Sequence, residues 1–383
     1  MKAYTCISTD DHMQEAPDTW TSRMSEKKWG DLIPRAEDVP AEGFMPGAGW
    51  VVNGKPQFGG VIVNAAMPDR TVGPTGWDEV PTFTYVPTER VKAMDRDGVD
   101  AHTLHPGLAT GVVNDKSLPE EFRLEVMRAY NDYIVEEYGD PFPGRFILLA
   151  AMPYWSPTEA VKEFERIRSR SSQIRGANFG FPQALGYTHI ADPAWDALWR
   201  ELEEADLPVH LHIGSGGSVG MRGTVWEGHT DPMRMLAEIS VKSVSAHTDV
   251  AATLMFSGIF ERFEHLKVVF AETGVGWMPY VLDLADHQWE VQGMATRGMP
   301  RRPSDVFRDH CFANFWFEQM NDELRRAPGL DNVMWLSDFP HPTSTWPTSQ
   351  DYLATSMATA TPEERQQILV DNPRRVYNLP EGY

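Results

Sequence analysis

Leu207-Pro208-Val209-His210-Leu211-His212-Ile213-Gly214 is the stretch whose reading decides the fold. Apolar residues alternate with two imidazoles. A proline sits near the start of the run and a glycine-rich loop follows it, which is the pattern of a short buried strand. Side chains two apart on a strand face the same way. His210 and His212 therefore share a face, and His212 stands at the strand's C-terminal end. In a parallel α/β barrel that end is where chemistry is placed. Taken alone, the pair reads equally well as two buried, hydrogen-bonded histidines, so the other strand ends have to decide.

Working outward, residues 4–9 (Tyr-Thr-Cys-Ile-Ser-Thr) read as a strand that runs into Asp10-Asp11-His12-Met13-Gln14-Glu15. Asp10 and His12 share a face if the strand extends that far, and Glu15 follows within one loop turn. The competing reading is a solvated acidic loop. From residue 91 the pattern becomes regular. Strands are expected over 99–106, 146–153, 174–179, 266–272, 311–317 and 332–338, besides the two already named. Helices are expected over 118–138, 156–168, from 192 to just before 207, 253–263, 276–292 and 361–369. Ser156 before Pro157, and Thr361 with Glu364, are helix-start signals. About eight strands alternating with helices predict a closed (β/α)₈ TIM barrel.

Residues 16–90 break this rhythm. They are rich in Gly and Pro and contain Val51-Val52-Asn53-Gly54-Lys55, a hairpin signal with a type I′ turn. Their Trp, Phe and Val content argues for an ordered cap inserted after the first strand. The expectation is one barrel domain over 1–383, with 16–90 as its cap. A chain of 383 residues suffices for such a core. The formal charge of −21 disfavours nucleic acid and anionic membranes as partners. No run of about 18 apolar residues exists to span a membrane. Residues 1–6 lack the long apolar stretch of a signal peptide. Two cysteines, Cys6 and Cys311, argue against a disulfide framework and fit a cytoplasmic protein.

The predicted C-terminal strand ends carry Asp10, His12, His105, His212, Glu272 and Asp338, with Glu15 and His341 just beyond. Carboxylates are rarely buried without a partner or a metal. Carboxylates with imidazoles and no cysteine suit Zn, Mn or Fe. A bound divalent ion acidifies a water or polarises a substrate oxygen.

At this point the chain resembles the amidohydrolase superfamily, in the amidohydrolase-related group that includes aminocarboxymuconate-semialdehyde decarboxylase and the resorcylate decarboxylases. The resemblance rests on Ile7-Ser8-Thr9-Asp10-Asp11-His12, Met94-Asp95-Arg96-Asp97-Gly98-Val99-Asp100, Tyr130-Asn131-Asp132 and Asp192-Pro193-Ala194-Trp195-Asp196. It continues through Leu207 to His212, Lys267-Val268-Val269-Phe270-Ala271-Glu272, Ser337-Asp338-Phe339-Pro340-His341 and Asn372-Pro373-Arg374-Arg375-Val376-Tyr377. It implies a metal-dependent TIM barrel, often dimeric, that breaks C–N, C–O or C–C bonds, hydrates, or decarboxylates without oxidation. By position it places the first-strand metal pair on Asp10 and His12, where many members have His-x-His. The further ligands fall on His212 and Asp338. Where the decarboxylase pattern has a water-activating His at the sixth strand end, this chain has Glu272. A carboxylate there acts as a base or binds a second metal.

The leading functional expectation is a metal-dependent hydrolase or non-oxidative decarboxylase of a carboxylated or carbonyl-bearing cyclic small molecule, with Asp338 or Glu272 moving the proton. The alternative is a non-haem mono- or di-iron oxygenase, motivated by the surplus of ligands: Asp10, His12, Glu15, His105, His212, Glu272, Asp338 and His341 exceed what one ion needs. One ion or two remain open. Arg175 is a candidate for a substrate carboxylate, or equally a structural ion pair, and His210 is a second candidate substrate contact. The loop Gly214 to Gly220 lacks a P-loop ending and reads as a mobile lid. His189 and His247 read as surface or helix-end histidines. The expected assembly is a homodimer.

Overall fold

The computed structural model describes residues 2–40, 47–57, 61–212, 226, 228 and 232–383, with the backbone alone at 113, 114, 232, 233 and 236. Ile213, Gly214 and the loop to Gly220, expected as a lid, lie outside the described residues. β1 (Ile7–His12) opens the barrel. It runs three residues further than the sequence pattern first suggests, so Asp10 and His12 lie on the strand itself. An insertion follows, with β2 (Arg35–Val39), β3 (Gly47–Val52) and β4 (Lys55–Pro56) in one antiparallel sheet. The remaining strands are β5 (Ala101–His105), β6 (Phe146–Ala151), β7 (Ile174–Phe179), β8 (Val209–His212), β9 (Val268–Ala271), β10 (Cys311–Phe315) and β11 (Val333–Trp335).

Eight strands pair in the order β1-β5-β6-β7-β8-β9-β10-β11, every pair parallel. The seam between the first and last strands is closed in part by side chains. Thr9 Oγ1 donates to the Trp335 carbonyl at 2.8 Å, and the Ser337 N–H donates to Ser8 Oγ at 2.8 Å. Above them the Asp338 N–H donates to the Asp10 carbonyl at 3.1 Å, and the His12 N–H to the Phe339 carbonyl at 2.7 Å. This is a (β/α)₈ TIM barrel. No described helix is long and apolar enough to cross a membrane.

Local chemistry explains the element ends. Ser156 caps the helix Pro157–Arg170 by accepting the Glu159 N–H, and Thr361 with Glu364 forms the expected capping box. Asn53 and Gly54 both have positive φ, 52° and 69°, as the type I′ turn between β3 and β4 demands. Trp50 sits edge-on to Trp20 and Trp77, giving the insertion its own apolar anchor. The insertion rests on the loop after β11: the Ala65 N–H donates to the Pro340 carbonyl, and the Arg70 guanidinium to the carbonyls of Pro342 and Trp346. One expectation fails. Residues 253–263 are not one helix but the end of Pro232–Phe256 followed by Ile259–Arg262. Gly258, at φ 75°, breaks the chain between them.

At the barrel floor a single carboxylate knits the two chain ends together. Asp100 accepts from Lys2 Nζ at 2.8 Å, from the Thr5 N–H and hydroxyl at 2.6 and 2.7 Å, from the Cys6 N–H at 3.1 Å and from the Tyr383 hydroxyl at 2.8 Å. Burial alone would raise its pKa, but these donors outweigh it and hold the group down at about 2. A carboxyl with a depressed folded-state pKa stabilises the fold above its unfolded value, here 3.8, and loses that contribution as pH falls toward 2. Asp100→Asn is therefore expected to cost on the order of 2 kcal/mol at pH 7. In denaturant titrations the gap from wild type should close between about pH 4 and pH 2. A gap that does not change over that window would remove the ionised carboxylate from the account.

Candidate metal centre

The alternation of β1 turns Asp10 and His12 to one side, and β8 presents His212 on the same inner face. The two remaining carboxylates come from residues just past strand ends. Glu272 follows β9 and Asp338 follows β11. Both hold left-handed backbone conformations, φ 56° and 60°, that carboxylate residues seldom adopt. Such strain persists only where surrounding contacts over-determine it. At Glu272 they do. Its N–H donates to Asn314 Oδ1 at 3.0 Å, while Asn314 Nδ2 reaches Thr9 Oγ1 at 3.3 Å. Just beyond, the buried Glu318 carboxylate gathers the N–H groups of Val275, Gly276 and Trp316. A Cβ at Gly274 would lie 2.3 Å from that carboxylate, so only glycine fits there. At Asp338 the backbone is tied across the seam, and the Thr343 hydroxyl donates to Oδ2.

The ligating atoms converge. His12 Nε2 lies 3.3 Å from Asp338 Oδ1, 3.6 Å from Asp10 Oδ1, 3.7 Å from Glu272 Oε2 and 3.3 Å from His212 Nε2. His212 Nε2 lies 3.1 Å from Glu272 Oε2 and 3.6 Å from Asp10 Oδ1. Burial opposes charge on His12, but Asp338, Glu272 and Asp10 outweigh it and push its pKa up to about 10. The same balance, burial against Asp10 and Glu272, puts His212 at about 9. Burial pushes Asp10 up, and the two imidazoles only partly offset it. Burial also opposes charge on Asp338, yet His341 and His12 hold it well below the carboxylate range.

His105 and His341 join this cluster. His105 Nε2 lies 3.5 Å from Asp10 Oδ1, and His341 Nδ1 lies 3.0 Å from Asp338 Oδ1 with its ring stacked on His12. Four other sequence expectations are corrected. Glu15 turns away: its carboxylate accepts the N–H groups of Gly107 and Ala109 at 3.1 and 3.5 Å, at the start of the helix Leu108–Asn114. His210 faces inward as expected but one side-chain layer lower. It is fully buried between His105 and Tyr377, beneath the ligating layer, with burial and then His212 pushing its pKa to about 3. Arg175 is the second residue of β7, at the opposite end of the barrel, and donates to the Asn378 carbonyl. His247 is no surface residue either. It is buried on the helix Pro232–Phe256, with Nε2 3.1 Å from the Leu211 carbonyl beside His212.

Residues the sequence did not announce stand behind the cluster. Asp11 faces away from it and accepts from the Ser337 hydroxyl and, at 3.3 Å, from the Phe339 N–H. The fully buried Arg90 donates to the His12 carbonyl at 2.7 Å and the Phe339 carbonyl at 3.5 Å, and lies 3.1 Å from His102 Nδ1. It thus braces both strands of the seam. A charged residue with its sequence partners dozens of positions away leaves no local signal.

A divalent cation fits these residues. Among the described residues, Asp10 Oδ1 and Oδ2, Asp338 Oδ1 and His105 Nε2 are buried without a hydrogen-bond partner. His105 Nδ1 lies 3.2 Å from Asn178 Oδ1, an acceptor that places the ring proton on Nδ1. The Nε2 lone pair then faces a carboxylate with nothing positive between them, as in a metal-ligating histidine fixed by its other nitrogen.

The sequence profile of the amidohydrolase family matches residues 68–379. The chain belongs to the amidohydrolase family. Among its relatives, a gamma-resorcylate decarboxylase from a Rhizobium species is 26% identical over 306 residues, 76% of this chain and 86% of the relative. Another gamma-resorcylate decarboxylase, from Rhodococcus jostii, is 28% identical over 283 residues, 70% of this chain and 81% of the relative. The fold of this amidohydrolase is shared by an amidohydrolase from Mycobacterium avium subsp. paratuberculosis, with TM-score 0.75 at 20% identity over 98% of this chain and all of the other. It is also shared by a Polaromonas dihydroxybenzoic acid decarboxylase with bound manganese and 2-nitroresorcinol, with TM-score 0.63 at 18% identity over 98% and 97% of the two chains.

If the cluster is built for a cation, Asp10→Asn should abolish most of the stabilisation that added Mn gives wild type. Calorimetry with and without Mn reads the difference. An Asp10→Asn protein that Mn stabilises as strongly as wild type would count against the cation reading.

Proposed function

We propose that this amidohydrolase is a metal-dependent, non-oxidative decarboxylase of a hydroxylated aromatic carboxylic acid. The observation that carries the proposal is the buried carboxylate–imidazole cluster at the barrel mouth with unpaired ligating atoms, in a chain whose relatives include gamma-resorcylate decarboxylases. None of the relatives named above is an oxygenase, and the iron-oxygenase alternative gains no support from them.

Asp10, His12, His212 and Asp338 are the residues that would hold the ion. Bound there, a divalent cation supplies a Lewis acid for the oxygens of the acid. The protein has to bind the ring, exclude water and handle one proton, because losing CO₂ from an aromatic acid puts a proton on the carbon that held it. Asp338 suits that last task. Its Oδ1 faces His12 and His341, while its Oδ2 is held separately by Thr343, so one oxygen can bind the ion while the other carries the proton. Residues 16–90 serve as the cap over this mouth. On the family resemblance, and with Cys6 and Cys311 both buried and unpaired, the working form is a cytoplasmic homodimer.

The test is a panel of mono- and dihydroxybenzoates incubated with the Mn-loaded protein, with CO₂ and O₂ followed together. One CO₂ per substrate consumed, no O₂ uptake and loss of turnover on chelation are expected. Asp338→Asn should lower turnover per bound metal by roughly 10²–10⁴-fold. Products that retain the carboxyl carbon, or O₂ consumed in step with product, would overturn the proposal.

A further inference from the structure

Asp338 is held in one rotation by an exposed residue. Pro342 and Thr343 both lie exposed on the loop after β11, yet the Thr343 hydroxyl is the donor to Asp338 Oδ2. Such a contact orients a buried carboxylate only where the backbone carrying it is fixed. The loop's own bonds run from the N–H groups of His341, Ser344 and Thr345 to the carbonyls of Asp338, His341 and Ser337. They leave the carbonyls of Pro342, Ser344 and Trp346, and Arg70 of the insertion takes all three. Its Nη2 donates to the Pro342 carbonyl at 3.1 Å and to the Ser344 carbonyl, and its Nη1 to the Trp346 carbonyl at 3.2 Å. The first two acceptors stand on either side of Thr343. A guanidinium is a rigid planar fork, so one side chain fixes the main chain at both points.

Arg70 is presented for this purpose. Asp69 Oδ1 accepts the Thr71 N–H and hydroxyl at 2.9 and 2.7 Å, and the Val72 N–H donates to the Asp69 carbonyl at 3.2 Å. The turn is held with Arg70 at its corner, and that carboxylate oxygen is spent on the turn. The Ala65 N–H adds a further tie, to the Pro340 carbonyl. We infer that Arg70 is a positioning residue for Asp338, acting through the backbone on either side of Thr343. With the loop clamped, Oδ2 stays on Thr343 while Oδ1 faces His12 and His341. Released, the carboxylate can turn about its Cβ–Cγ bond, and the two oxygens lose their separate places. The insertion thus governs the proton-handling group without touching it. This rests on the role given to Asp338 above.

The test is a double-mutant cycle on the full-length protein: Arg70→Ala, Thr343→Val and both together. With Mn loaded and a hydroxybenzoate as substrate, each single variant should lower kcat per bound metal about tenfold. KM should stay within about twofold of wild type. Each should also bind Mn(II) more weakly in equilibrium dialysis. The double variant should be no worse than either single one, in kcat and in Mn affinity alike, because Arg70 acts through Thr343. Guanidinium ion at non-denaturing concentration should restore part of the kcat of Arg70→Ala and none of that of Thr343→Val. In the metal-free protein, amide exchange at Ser344 and Thr345 should quicken about tenfold in Arg70→Ala. If that variant does not fold, Arg70→Lys replaces it in every arm, with smaller effects of the same sign. Losses that add in the cycle, or exchange that matches wild type, overturn the inference. If wild type releases CO₂ from no hydroxybenzoate, the decarboxylase reading falls, and Mn affinity and exchange still decide the role of Arg70.

Discussion

Three carboxylates that converge on His12, two of them fully buried, are the constraint on which this structure turns. Asp10, Glu272 and Asp338 crowd together where water is scarce, and like charges in such a place repel strongly unless something positive sits among them. The protein's own answer is incomplete. His12 and His212 are drawn toward the charged form, but both Asp10 oxygens still lack a hydrogen bond and His105 points a bare lone pair at one of them. The unsatisfied groups are stable only in a fold held firmly elsewhere, and the strain at Glu272 and Asp338 belongs to the same arrangement.

The firmness comes from the seam. Asp10 and Asp338 are bonded to one another through their backbones, so the two ligating side chains are carried by the bonds that close the barrel. Arg90 spans the seam from behind, with carbonyls of both sides as acceptors, and Asp11 ties β1 to Ser337 and Phe339. Glu318 and Asn314 perform the equivalent service for the turn after β9. Asp10, His12, Glu272 and Asp338 are thus held by neighbours outside the cluster, the kind of support that keeps such centres accurate to fractions of an ångström.

Much of this was legible in the sequence, and the misses have physical causes. The eight barrel strands were readable because buried parallel strands are short apolar runs separated by helices, and the ligands were readable because they terminate those runs. Depth was not. Period two gives the face of a strand but not the layer, so His210 reads as a substrate contact although it lies beneath His212. Position along a strand was lost in the same way for Arg175, which begins β7 instead of ending it. Glu15 is close to His12 in sequence, but the backbone turns after the strand and spends that carboxylate on the N–H groups of a helix start. Arg90, Asp11, Asn178 and Glu318 were silent because their significance lies in partners far along the chain. The break at Gly258 shows the remaining weakness, since helical periodicity runs through a single glycine that the backbone does not.

The seam also sets a timetable. Thr9 and Trp335, which meet across it, are 326 positions apart. A ribosome releasing the chain from its N-terminus exposes β1, with its paired acids, long before the strand that completes its surroundings has been made. Until then no enclosed cluster exists, and Asp10 and His12 are ordinary hydrated side chains without special affinity for a cation. Closure of the barrel and assembly of the centre are therefore a single late event. A partly made chain has little means of capturing the wrong ion, because the trap is built only when the last strand docks.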